Sequence, residues 1–237
     1  MTAQVFVALD TADLASALAQ ARAMHGAVGG IKLGLEFFAG NGPEGVRAVI
    51  AAGAPVFLDL KLHDIPNTVA GAVRALTPLA PFILNVHAAG GEAMMRAARA
   101  AAEETAAKAG CVRPRLIAVT VLTSLGNDDL EAVGQQRPVG DQVRRLATLA
   151  QRCGLDGVVC SPHEIAMLKA DCGPDFALVV PGIRPVWAAA GDQKRIMTPG
   201  EAARLGADYL VIGRPITAAP DPAIAARRIA DEIAAAA

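Results

Sequence analysis

The run FILNVHA, residues 82–88, passes through Ala89 and Gly90 into GEAMMRAARAAAEETAAKA, residues 91–109, and stops at Gly110. The first part is a short apolar run of strand length. The second is an Ala-rich stretch of helical length closed by a glycine, the residue that accepts the left-handed conformation past a helix end. This strand-then-helix unit recurs along the chain. Strands are expected at 4–10, 30–35, 55–61, 82–88, 115–122, 157–161, 177–182 and 208–213. Helices are expected at 13–25, 42–52, 91–109, 140–153, 162–170, 199–205 and 221–235. Pro43, Pro162 and Pro222 stand near helix starts, where a missing N–H costs nothing, and Gly53, Gly110, Gly154 and Gly206 follow helical stretches. Eight strands alternating with helices predict a parallel sheet, and eight is the number that closes an α/β barrel, a single (β/α)8 TIM barrel. A doubly wound open sheet is the alternative, weakened because no Gly-x-Gly-x-x-Gly follows the first strand. No linker or charge block divides the sequence, so one domain over 1–237 is expected.

Bulk properties agree with a barrel. The length of 237 residues is close to the roughly 250 typical of that fold. Composition is 53% hydrophobic but only 3% aromatic, so the core is built from aliphatic side chains, as in buried parallel strands under Ala-rich helices. The 22 basic and 23 acidic residues leave a net charge of −1, which argues against nucleic acid or an anionic membrane as a partner attracted by global charge. Cys111, Cys153, Cys160 and Cys172 match no zinc or redox spacing and read as reduced, mostly buried thiols. Met1 leads directly into the first strand run with no basic and long apolar leader, and no apolar stretch reaches the ~20 residues of a membrane span. A cytoplasmic location is expected.

In a barrel the chemistry gathers at the C-terminal ends of the strands. Those ends carry Asp10 after strand one, Lys32 inside strand two, Asp59 and Lys61 in strand three, and Asp64 three residues on. With a period of two, Asp59 and Lys61 project to the same side. A lysine among carboxylates, with Lys32 from the next strand, has three readings. It is a structural ion-pair network, a lysine held protonated as a general acid, or a metal site using Asp59 and Asp64. Gly213-Arg214-Pro215 follows the last strand, where barrels commonly hold phosphate. The long connection from Ile183 to Met197, with Arg184 and Gly191-Asp192-Gln193, has the length of a lid. Thr120, Thr123 and Ser124 at strand five are either ordinary β-formers or hydrogen-bonding groups for a heterocycle. His87 and His63 read as structural, the first as a satisfied imidazole, the second as a turn residue. His25 and His163 read as surface positions.

The segment Asp59-Leu-Lys-Leu-His-Asp-Ile-Pro-Asn-Thr68 resembles the signature of the orotidine 5′-phosphate decarboxylases. Pro181-Gly-Ile-Arg-Pro185, Gly191-Asp-Gln193 and Arg195-Ile-Met-Thr-Pro199 resemble that family's phosphate-lid segment, and Val211-Ile-Gly-Arg-Pro-Ile216 its closing motif. Leu9-Asp10 and Lys32-Leu-Gly34 are similar as well, so the resemblance runs from residue 5 to 217. It implies that Lys61 donates a proton to pyrimidine C6 and that Asp59 sits beside the substrate carboxylate. Asp10, Lys32 and Asp64 would complete the ribose and charge network, and Thr123 and Ser124 would address the pyrimidine. Arg184, Gln193, Gly213 and Arg214 would hold the phosphate or its closed lid. The resemblance also implies a homodimer, with Asp64 and Thr68 reaching the partner's site, and no metal or cofactor. Because Asp-x-Lys-x-x-Asp is shared with metal-dependent sugar-phosphate decarboxylases and aldolases, that activity is the competing reading. A non-catalytic nucleotide-binding barrel is a further one.

Overall fold

A computed structural model describes residues 3–135, 137–188 and 197–236. Eight parallel strands close on themselves in chain order: β1 (Gln4–Leu9), β2 (Gly30–Leu33), β3 (Val56–Leu62), β4 (Ile83–His87), β5 (Arg115–Val119), β6 (Gly157–Val159), β7 (Ala177–Pro181) and β8 (Tyr209–Ile212). Between them run α1 (Leu14–Ala23), α2 (Leu35–Ala51), α3 (Pro66–Leu76), α4 (Gly91–Ala109), α5 (Asn127–Ala132), α6 (Val139–Arg152), α7 (Ile165–Cys172), α8 (Pro199–Arg204) and α9 (Arg214–Thr217), with α10 (Pro222–Ala236) closing the ring. The barrel, and not the open sheet, is therefore the fold.

The expected strands are all present, each ending one to three residues short of the sequence estimate at its C-terminal end, except β3, which runs one residue longer. Helices α3, α5 and α9 were not anticipated. The first is built on Pro66 at its N-terminal turn, and the other two are only six and four residues long. Helix α2 begins at Leu35, ahead of the expected 42, and breaks at Gly42 (φ 57°), so Pro43 does start a helical segment. Gly53, Gly110, Gly154 and Gly206 all have positive φ, as residues past a helix end do.

Strand alternation sorts the core into two compartments. Val5, Val7 and Leu9 join the large aliphatic layer between sheet and helices. Phe6 and Ala8 point into the barrel with Phe57, Ile83, Ile117, Val179, Tyr209 and Val211. The few aromatic residues are concentrated there: the Phe6 ring lies 5.6 Å from Tyr209 and 6.5 Å from Phe57, both edge-on. Gly30 is required beside them, since a Cβ there would collide with the Phe6 ring and the Pro55 carbonyl oxygen. All four cysteines are free, with Cys153 and Cys160 buried. Among the described residues, no helix is long and apolar enough to cross a membrane.

Candidate active site

Moving toward the C-terminal mouth, the inward positions of β2, β3 and β4 change from apolar to polar. Lys32 stands in register with Ala8 on one side and Phe57 on the other. Asp59 follows Phe57 by one pleat, and Asn85 follows Ile83 by one pleat. Lys32, Asp59 and Asn85 are all buried.

These groups form a connected row. The Lys32 ammonium lies 3.3 Å from Asp10 Oδ1 and 3.4 Å from Asp59 Oδ2, and the Lys61 ammonium lies 2.7 Å from Asp59 Oδ1. Burial alone would raise the Asp59 pKa. The two ammonium charges and the hydrogen bonds from Lys61 and Asn85 outweigh it and hold the carboxyl below its ordinary 3.8. Asp59 is thus ionised at neutral pH, and each of its oxygens already faces a cation.

Asp59 and Lys61 do meet, but not through the plain pleat expected from a period of two. The β3–β4 register pairs Leu58 with Leu84 and Leu62 with Val86, so Asp59, Leu60 and Lys61 stand opposite Asn85 alone. Such a bulge re-aims side chains and is common beside functional sites. Within it Lys61 takes φ 52°, a left-handed conformation that costs an L-residue about 1–2 kcal/mol.

A cavity of about 210 Å³ opens above this row, lined by Lys32, Asp59, Lys61, Thr123, Pro181 and Val211 among others. Thr123 therefore joins the site. Ser124 lies next to it on the exposed loop but does not line the cavity. Thr120 is spent on structure, its hydroxyl donating to the Val159 carbonyl at 2.8 Å. A second cavity of about 340 Å³ lies beyond β7 and β8, lined by Arg184, Trp187, Arg214 and Pro215. Arg184 is buried, and Gly213 heads α9, so Arg214 starts that helix. The long connection after β7 is tied at its base, where Ile183 bridges Met197 and the Arg184 N–H donates to the Met197 carbonyl at 3.0 Å. Gln193 lies outside the described residues. Trp187, in the same connection, stacks under the Arg228 guanidinium, 4.9 Å from its ring centre.

The spacing that set Asp64 beside Lys61 of its own chain, and the reading of His87, need correction. Asp64 and Thr68 are exposed, and among the described residues no ion pair joins Asp64 to the row; its Oδ1 accepts the Ile65 N–H at 2.6 Å. Strand β3 ends at Leu62, and two residues on this carboxylate stands at the surface. His87 is not a satisfied imidazole, because among the described residues its buried Nδ1 has no hydrogen-bond partner, while the ring stacks on His63 at 5.3 Å. Burial first, then His63 and Lys61, lower the His87 pKa and keep it neutral. His25 and His163 are exposed, as expected. Asn85 was missed. The available signal was an asparagine at an inward position of an otherwise apolar strand, a residue type depleted from strands.

A (β/α)8 barrel with an alternating ammonium–carboxylate row at its mouth, and an arginine-lined cavity at the ends of β7 and β8, defines a barrel enzyme suited to an anionic small molecule. The chain belongs to the orotidine 5′-phosphate decarboxylase / HUMPS family, whose model matches residues 3–229. It is 62% identical over 230 residues to the orotidine 5′-phosphate decarboxylase of Rhodospirillum rubrum, covering 97% of this chain and 93% of that one. It is 56% identical to the enzyme of that name from Moorella thermoacetica, covering 97% and 92%. Among solved structures, orotidine 5′-phosphate decarboxylase from Lactobacillus acidophilus superposes with a TM-score of 0.84 at 36% identity, over 98% of this chain and 99% of that one. The relatives are named for a carboxy-lyase activity, and this chain is an enzyme of that class.

Proposed function

We propose that the chain converts orotidine 5′-phosphate to UMP and CO2, the decarboxylation that completes UMP in pyrimidine biosynthesis, with no metal and with Lys61 as the proton donor. The observation that carries this reading is the Lys61 ammonium, 2.7 Å from a buried, ionised Asp59 and lining the cavity at the barrel mouth. The C6–carboxylate bond breaks, its electron pair stays on C6, and CO2 leaves. That carbanion lies in the ring plane, where the π system cannot delocalise it. An ammonium already fixed at that carbon stabilises the developing charge and then transfers its proton to C6, leaving a neutral amine that regains a proton from water. Asp59 holds the Lys61 ammonium in place at 2.7 Å and sits beside the departing carboxylate.

Asp10 and Lys32 bind the ribose side of the row, and Thr123 and Ser124 address the pyrimidine. Arg184, Gln193, Gly213 and Arg214 receive the phosphate, and these contacts remote from C6 let binding energy be expressed in the transition state. The enzyme works as a homodimer in the cytoplasm. The exposure of Asp64 and Thr68 supports their serving the neighbouring subunit's site. The competing sugar-phosphate reading needs a divalent ion among the same carboxylates, yet Lys32 and Lys61 already face both oxygens of Asp59.

The test is an absorbance assay with orotidine 5′-phosphate on chelator-treated protein. The wild-type chain should turn over fully and Lys61→Ala should lose more than the ~10²–10⁴-fold typical of a general acid, because an electrostatic role is removed with the proton donor. Turnover restored only by a divalent ion, or retained by Lys61→Ala, would overturn the proposal.

A further inference from the structure

Asn85 is fully buried, and its amide joins two groups of the row. Its Oδ1 accepts the Lys61 backbone N–H at 2.8 Å, and its Nδ2 donates to Asp59 Oδ1 at 2.7 Å. The orientation is dictated by chemistry. Reversing the amide would set its N–H groups against the Lys61 N–H and its carbonyl against a carboxylate.

The bulge explains why a side chain is needed there. With three β3 residues opposite one β4 residue, the Lys61 N–H has lost its regular ladder acceptor, and a buried N–H without a partner is costly. The Asn85 carbonyl supplies that acceptor, on the residue that also carries φ 52°. The same amide shares Asp59 Oδ1 with the Lys61 ammonium, while Lys32 approaches Oδ2. One side chain therefore sets both the backbone from which Lys61 projects and the carboxylate that receives its ammonium. Asn85 does not line the cavity above, so its influence passes through its two partners.

We propose that Asn85 is a positioning residue for the decarboxylation: it holds Lys61 in its left-handed conformation and orients Asp59, which together aim the ammonium at the reacting carbon. This rests on the proton-donor role proposed for Lys61. A misaimed donor affects the chemical step more than binding, because phosphate and pyrimidine contacts are made elsewhere.

The test compares Asn85→Ala and Asn85→Asp with wild type for kcat, KM, UMP affinity and the pH profile of kcat, alongside melting curves. For Asn85→Ala, kcat should fall about 100-fold, as for a reacting group displaced by about an ångström, while KM and UMP affinity move less than about threefold. If Asn85→Ala does not fold, Asn85→Asp decides. It keeps the volume and the acceptor for the Lys61 N–H but replaces the donor with a carboxylate oxygen against Asp59. Two carboxyls at that distance share a proton, so the acid limb of kcat should move up by about one pH unit or more. Loss of kcat and UMP affinity together, in proportion to the unfolded fraction, would reduce Asn85 to a structural role and overturn the proposal. So would an Asn85→Asp enzyme with wild-type kcat and an unmoved acid limb. The wild-type control separates the two ideas: if it fails to decarboxylate orotidine 5′-phosphate, the functional reading falls, and if it turns over beside fully active variants, only the role of Asn85 does.

Discussion

Replacing Lys61 by glycine and by alanine separates its chemistry from its backbone strain. Both substitutions remove the ammonium from Asp59, so the electrostatic loss is common to them and cancels in the comparison. They differ in a Cβ held at φ 52°. A left-handed L-residue costs about 1–2 kcal/mol relative to one in an allowed well, and glycine escapes that cost. Glycine in turn gains more freedom in the unfolded chain, worth about 0.4–1 kcal/mol against it. At mid-range the difference leaves Lys61→Gly more stable than Lys61→Ala by about 0.8 kcal/mol. For a chain of this length that corresponds to a melting temperature about 1–4 °C higher. Scanning calorimetry on the two variants at one pH and one protein concentration reads it directly, and neither should decarboxylate orotidine 5′-phosphate. A glycine variant melting at or below the alanine variant would refute the claim that the lysine is held against a backbone preference.

Arg214→Ala should lower kcat/KM by about 10- to 150-fold, the range for losing a hydrogen bond to a charged group, and should reduce kcat as well as raise KM. A substrate lacking the phosphate should be poor with wild type and scarcely worse with this variant; an equal further loss on that substrate would place Arg214 outside the phosphate site. Mixing inactive Lys61→Ala with inactive Asp64→Ala chains should restore some activity, since one site of a mixed dimer then has both groups intact. If subunit exchange is verified with differently tagged chains and no activity returns, each barrel works alone. Because the Asp59 pKa lies below its ordinary 3.8 in the fold, its contribution to stability is fully present above that value and is lost as pH falls through the lower folded value. Asp59→Asn should therefore show a shallower fall in melting temperature below about pH 4 than wild type; identical acid slopes would contradict the depressed pKa.

The βα repeat was legible in the amino-acid sequence, and closure of its eight strands into a barrel was settled by the tertiary structure. Eight short apolar runs each followed by an Ala-rich stretch state the βα repeat, because burial on both faces of a parallel strand and one-sided burial of a helix leave different periodicities. The sequence also determined the main charged residues of the site. A lysine or aspartate within an apolar run is conspicuous, and Asp10, Lys32, Asp59 and Lys61 do converge. Tertiary structure alone decided how they converge. A β-bulge exists only relative to a partner strand, so nothing in DLKLHD, residues 59–64, announces that three of its residues face one residue of β4. For the same reason the left-handed lysine was illegible, and Asn85 stood out only as an asparagine within an apolar strand, its task set by the ladder acceptor missing beside the bulge. Asp64 illustrates the converse. Its spacing placed it in the charge cluster, yet it stands at the surface two residues past the end of β3, since separation along a chain constrains distance but not direction.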